Sequence, residues 1–221
     1  MWFLIIAVMV LSFIVQQTLQ SRFSKYSKIR NSSGMTGAEV AAMMLRSNGV
    51  NDVSIVCVGG TLTDHYNPSD KTVNLSRDVY YGNSIAAAAV AAHECGHVLQ
   101  HACGYAPLKL RTALVPVVSF SNMIVQWVIL AGLLLIGIFP NLIWFGIGLM
   151  ALSTLFSVVT LPVEINASQR AIAWICDNGI ADAQTRPMAV DSLKWAAYTY
   201  VLAALGSIAT LLYYIGLARR D

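Results

Sequence analysis

Long apolar runs alternate along the chain with mixed segments. Trp2 to Leu19, Ala113 to Phe139, Leu142 to Leu161 and Ala196 to Leu217 carry no charged residue. As helices, runs of this length cross a hydrocarbon core of about 30 Å, the first only just. Every charged residue falls in residues 20–112 or 163–195, except Arg219, Arg220 and Asp221 at the end. The pattern therefore predicts a mostly α, polytopic membrane protein with four transmembrane helices (2–19, 113–139, 142–161, 196–217). A small water-facing α+β part comes from 20–112 and 163–195, and the whole chain, 1–221, reads as one domain. The first run lacks the positive n-region and small-residue cleavage pattern of a signal peptide and reads as a retained helix.

Shorter periodicities organise the polar segments. Thr36-x-x-Glu39 is a capping box that opens a helix to about Ser47, and Asn48-Gly49 closes it. Val53 to Val58 reads as a strand that Gly59-Gly60 breaks. Thr61 to Tyr66 and Thr72 to Leu75 read as a hairpin around Asn67-Pro68-Ser69-Asp70. Ile85 to Gln100 forms a helix, with Ser84 or Asn83 as N-cap and Gly104 as its stop. Its first half is small and apolar on every side, so it should be buried. Pro162 marks a kink or a boundary before a helical stretch from Val163 to about Asn178, which Gly179 ends. In the second apolar run, Ser119, Ser121, Asn122 and Gln126 should face protein or a wet cavity, because lipid offers them no partner.

Composition agrees with a membrane setting. The chain is 57% hydrophobic and 11% charged, against about 25% charged in soluble domains. A net charge of +3 and the lack of a basic run with interleaved aromatics exclude a nucleic-acid partner. Arg22, Lys25, Lys28 and Arg30 directly follow the first run, so the positive-inside rule puts the N-terminus outside and both polar segments on the cytoplasmic face. Arg219 and Arg220 fall on the other side, against the rule. Cys57, Cys95, Cys103 and Cys176 show no C-x-x-C spacing and read as reduced, buried small residues.

The candidate chemistry lies in the buried helix, as His93-Glu94-x-x-His97. Two histidines one turn apart on a helix can hold one zinc ion, and Glu94 beside them can take a proton from activated water. A catalytic zinc takes three protein ligands and keeps a position open. Cys95 faces roughly the opposite way. His101 continues the spacing but lies about 12 Å along the axis from His93, too far for the same ion. His65 is either an ordinary packed or exposed histidine or a cleft residue that donates to a developing oxyanion. Glu164 is the only carboxylate between Glu94 and Asp177. It is either the third ligand or a cap at the start of the helix after Pro162.

The chain resembles the YugP-type bacterial membrane zinc metallopeptidases. The likeness rests on Lys25-Tyr26-Ser27-Lys28, on 32–41, on Leu62-Thr63-Asp64-His65-Tyr66, on Ala89 to His97, on Gln100-His101-x-x-Gly104-Tyr105-x-Pro107-Leu108, and on Leu161-Pro162-Val163-Glu164-x-Asn166-Ala167-Ser168. More distantly it is similar to membrane gluzincins of the HtpX and CAAX-protease kind. The resemblance implies a zinc endopeptidase of the bacterial inner membrane, with His93, His97 and Glu164 as ligands; beside it, Glu94 reads as the general base, and His65 or a tyrosine (Tyr66, Tyr80 or Tyr81) as a catalytic donor to the oxyanion. In that pattern an Asp stands four residues after the ligand Glu. Here Ser168 stands there, so the Asp's support of a ligand is weaker, taken over by water or supplied elsewhere.

The expected activity is hydrolysis of peptide bonds in membrane or membrane-adjacent proteins, with Thr72 to Leu75 as an edge strand on which substrate could pair. The expected partners are that protein substrate, the lipid bilayer, and a homo-oligomer or regulatory membrane protein. The rival readings are a catalytically latent zinc-binding scaffold and, more remotely, a transporter.

Overall fold

The computed structural model describes residues 2–135 and 137–219. Its elements are α1 (Trp2–Tyr26), α2 (Gly37–Ser47), β1 (Ser54–Val58), β2 (His65–Asn67), β3 (Thr72–Ser76), α3 (Arg77–Tyr80), α4 (Ile85–Ala102), α5 (Ala106–Leu134), α6 (Asn141–Asp177) and α7 (Arg186–Ala218). The protein is mostly helical with one small sheet, as the sequence predicts. Stretches of α1, α5, α6 and α7 are long and apolar enough to cross a membrane. Arg220 and Asp221 of the terminal charge cluster lie outside the described residues. The chain divides into two compact units, one of residues 1–15, 106–162 and 198–221, the other of 16–105 and 163–197.

In the first unit the packing is sparse. Ile129, Ile143 and Ile147 form its buried centre, with Val125, Met150 and Leu211 against them. Polar side chains in these helices mostly return to the backbone one turn earlier. Ser121 Oγ donates to Val117 O at 2.8 Å and Thr160 Oγ1 to Phe156 O at 2.8 Å. Ser153 Oγ donates to Asn122 Oδ1 at 2.7 Å, a link from α6 to α5. Ser119 and Gln126 lie on the exposed side of α5 instead of facing protein.

The second unit builds an ordinary core around α4. Thr36 and Glu39 cap α2 reciprocally, with Thr36 N–H donating to Glu39 Oε2 at 2.7 Å and Glu39 N–H to Thr36 Oγ1 at 3.3 Å. The Ser84 hydroxyl accepts from Ala87 N–H at 3.1 Å, which makes Ser84 the N-cap of α4. Buried Asn31 holds that end in place, its amide donating to Met35 O at 2.7 Å and to Asn83 O at 2.9 Å. Val40 and Met44 of α2, Val73 and Leu75 of β3, Ile175 of α6 and Leu193 of α7 share one core with the alanines of α4. Small side chains let neighbouring helices approach closely. A Cβ on Gly96 would lie 2.7 Å from the Ala167 carbonyl oxygen, so α4 and α6 touch backbone to backbone there. Gly104 turns the chain out of α4 with φ +65°, a conformation that costs glycine little.

Three expectations are corrected. The sheet has the order β1-β3-β2, with β1 parallel and β2 antiparallel to β3. β3 is therefore central, not an edge, and has no free side for a substrate strand; its fully buried Val73 and Leu75 explain why it takes the middle. Of the two readings of Pro162, the boundary is excluded, since α6 runs through it from Asn141 to Asp177. Of the cysteines, only Cys95 is buried; Cys57 and Cys103 are exposed because β1 turns most of its residues to solvent and Cys103 lies past the end of α4.

Candidate metal centre

Helix α4 presents His93 and His97 one turn apart, and α6 brings Glu164 opposite them. Because α6 is continuous, Glu164 lies in the body of a helix and cannot be the N-cap considered from the sequence. His97 and Glu164 are buried, and the His93 side chain is 13% exposed. Glu164 Oε2 stands 3.3 Å from His93 Nε2 and 3.6 Å from His97 Nε2. One donor atom from each residue lies within 4.8 Å of the other two. A tetrahedral zinc ion with bonds of about 2.0–2.1 Å sets its donors about 3.3 Å apart. Two imidazole nitrogens and one carboxylate oxygen therefore fit zinc in type and nearly in spacing, and three protein donors leave a fourth position.

The far sides of both rings are held. His97 Nδ1 lies 3.1 Å from Gln100 Oε1. Gln100 Nε2 donates to Val163 O at 2.7 Å and to Asn166 Oδ1 at 3.0 Å. A backbone carbonyl can only accept, so Gln100 must present its oxygen to His97. When neutral, His97 then carries its hydrogen on Nδ1, which leaves the Nε2 lone pair for a metal ion on the side where Glu164 stands. Asn166 is fixed in turn by Arg170 Nε, which donates to its Oδ1 at 2.8 Å. Ser168 Oγ lies 3.1 Å from His93 Nδ1. Ser168 thus occupies the place an Asp takes in the wider pattern and gives a neutral hydrogen bond where a carboxylate would give a charged one. Such outer contacts set ring orientation and ligand basicity.

Charge at the site follows this geometry. Burial pulls the His97 imidazole toward its neutral form, but the facing Glu164 carboxylate, the nearby Glu94 and the Gln100 bond outweigh it and hold its pKa above 6.5. Glu94 is buried beside the pair, 7% exposed. Asp64 faces the same charge. Burial pushes its carboxyl up, Ser76 opposes this by donating its N–H at 2.7 Å and its Oγ–H at 3.1 Å, and Glu94 adds to the rise.

The remaining candidates fall outside the donor group. His65 is exposed on β2, with Nδ1 2.8 Å from Thr63 O. A neutral ring so held keeps its hydrogen on Nδ1, so His65 can donate to an oxyanion from Nε2 only as imidazolium. His101 is exposed, with Nδ1 3.0 Å from the Tyr66 hydroxyl. Cys95 turns its sulfur to Ala41 O at 3.7 Å, away from the rings, and burial pushes its thiol pKa up. Sequence reasoning gave no role to Gln100, Asn166 or Asp64, although all three stand in the stretches that carry the family resemblance. Gln100 also left a local signal, as an amide three residues after His97 on the same helix face.

The comparisons point to a zinc metallopeptidase family. Residues 1–219 match the family described as "Putative neutral zinc metallopeptidase". A curated relative from Bacillus subtilis (strain 168), named "Putative membrane protease YugP", is 46% identical over 213 residues, covering 96% of this chain and 94% of the relative. No solved structure matches. The chain belongs to the family described as "Putative neutral zinc metallopeptidase".

Proposed function

We propose that the protein is a zinc-dependent endopeptidase of the bacterial inner membrane that cuts membrane or membrane-adjacent proteins at the cytoplasmic face. The observation that carries this reading is the meeting of His93, His97 and Glu164, with both Nε2 atoms turned to Glu164 and both Nδ1 atoms engaged behind them. His93, His97 and Glu164 hold the ion. When bound, zinc supplies Lewis acidity and lowers the pKa of water to about 7. Glu94 takes the proton from the attacking water and passes it to the leaving amine. Gln100 and Ser168 keep both ligand rings aimed. The donor to the oxyanion is His65 or one of the tyrosines Tyr66, Tyr80 and Tyr81.

The membrane setting supports the choice of substrate. At 1.5 Å per residue, α6 with its 37 residues measures about 55 Å, well beyond a hydrocarbon core of about 30 Å. Counted from Asn141, lipid is crossed by about residue 161, and Glu164 follows directly. A zincin-like site on the cytoplasmic side of that boundary would meet chains as they enter or leave the bilayer. The test is zinc content and peptide cleavage of the wild type beside Glu94→Gln, both in detergent. Equal zinc with cleavage only by the wild type is the expected result. Equal cleavage by both would remove the mechanism, and zinc in both with cleavage by neither would favour the scaffold.

A further inference from the structure

A cavity lies behind the candidate metal centre. It measures about 410 Å³ and runs between α6 and the first turns of α7. Ile165, Ile172, Val190 and Leu193 give it an apolar wall. Arg186 and Lys194, both exposed, stand over it, and no carboxylate lines it. The volume falls in the range of small-molecule sites, and an apolar wall with few polar groups is their usual make-up. Ser168 lines this cavity as well as meeting His93 Nδ1.

That shared residue fixes what the cavity can do. Zinc would bind on the Nε2 side of His93, where Glu164 stands. The cavity reaches His93 from the Nδ1 side through Ser168, so its occupant sits behind the ligand ring and not at the open metal position. It is therefore a separate site and not a substrate subsite. Its chemistry asks for an apolar chain joined to an anion. Both helices that form it continue into apolar stretches long enough to cross a membrane. Basic pockets between such helices recognise anionic lipid headgroups.

We propose that this cavity, which begins just past the residue-161 boundary, binds one anionic phospholipid at the membrane surface, with one acyl chain drawn out of the bilayer against the Ile165–Leu193 wall and its phosphate at Arg186 and Lys194. Occupancy presses on Ser168 and so on the orientation of His93, which makes anionic lipid a regulator of the metal site. The binding site stands apart from the peptidase reading; only the consequence for zinc rests on it.

The test uses the full chain in nanodiscs and in detergent, with phosphatidylglycerol as the probe and phosphatidylcholine as the neutral control. Native mass spectrometry counts bound lipid for the wild type, R186Q/K194Q and V190E. All three positions are exposed, so these variants keep the fold. The expected result is phosphatidylglycerol binding to the wild type and a loss of about 30-fold in R186Q/K194Q, from about five-fold per cation. V190E, which puts a carboxylate into the wall, should lose binding too. Equal binding by the double variant, equal binding of phosphatidylcholine, or displacement of the lipid by inorganic phosphate would overturn the assignment. Zinc release to a chelator is then followed in each lipid. A change of at least about five-fold on adding phosphatidylglycerol, absent in S168A although S168A still binds the lipid, supports the coupling. Zinc release insensitive to the lipid in the wild type would overturn it. Lipid binding by a protein that holds no zinc would leave the lipid site standing and remove the peptidase reading.

Discussion

The two units treat large apolar side chains in opposite ways. On α5, Phe120, Met123 and Trp127 are 63%, 72% and 64% exposed. In the unit that carries the metal site, Met44, Leu75 and Ile175 are fully buried. One unit displays its hydrophobic surface and the other consumes it. The first is built for hydrocarbon, where exposed leucines and phenylalanines cost nothing, and its polar hydroxyls fall back on their own helix. The second has a core of its own, and that core is what can hold buried histidines and a carboxylate in fixed positions. The candidate metal site lies in the unit that has this buried core.

The largest expected effect tests the site side of this contrast. His97→Ala should weaken zinc binding by more than about 100-fold, because two ligands remain of three; competition with a chelator reads it. Next comes the contrast itself. Trp127→Lys should cost about 2.5–3.5 kcal/mol of membrane insertion. Met43→Lys, at a residue 37% exposed on α2, should change stability by no more than about 0.5 kcal/mol. Glycosylation mapping reads the first and chemical denaturation the second, and equal sensitivity of the two would dissolve the comparison. Gln100→Ala should lower zinc affinity by about 10–100-fold while leaving all three ligands in place. A variant that bound zinc as tightly as wild type would show that the tautomer of His97 is fixed by something else.

The smallest effect is a pH dependence. The raised pKa of His97 means that, after chelation, its ion pair with Glu164 stabilises the fold below an imidazole's unfolded pKa of about 6.5. That contribution is lost as pH rises through the higher folded value. Zinc needs the neutral ring, so its stabilisation grows over the same interval. The gap in melting temperature between zinc-loaded and chelated protein should widen from about pH 6 to pH 8. A constant gap would contradict the assigned pairing.

Much of this was legible in local pattern. The capping box at Thr36 and Glu39, the N-cap at Ser84, the hairpin before Thr72 and the turn of α4 that carries both histidines all follow from neighbours in sequence. Four apolar runs gave four long helices. The misses share a cause as well. Hydropathy marks where lipid would end, not where a helix ends, so the spans read at 113–139 and 196–217 begin inside the longer helices α5, which starts at Ala106, and α7, which starts at Arg186. A proline is tolerated inside a membrane helix whose neighbours satisfy the freed backbone, and Pro162 behaves so. Parallel pairing of β1 with β3 is a tertiary event with no turn to announce it. The contacts of Gln100 with Val163 and of Ser168 with His93 join residues 63 and 75 positions apart. No spacing rule reaches that far.

The central claim is a zinc ion held by two imidazoles and one carboxylate, and X-ray absorption at the zinc edge of the metal-loaded protein tests it most directly. The account predicts a four-coordinate nitrogen and oxygen shell at about 2.0–2.1 Å, with two imidazole ligands and no sulfur, and loss of one oxygen ligand in Glu164→Ala. Sulfur scattering near 2.3 Å, or a third imidazole, would contradict it.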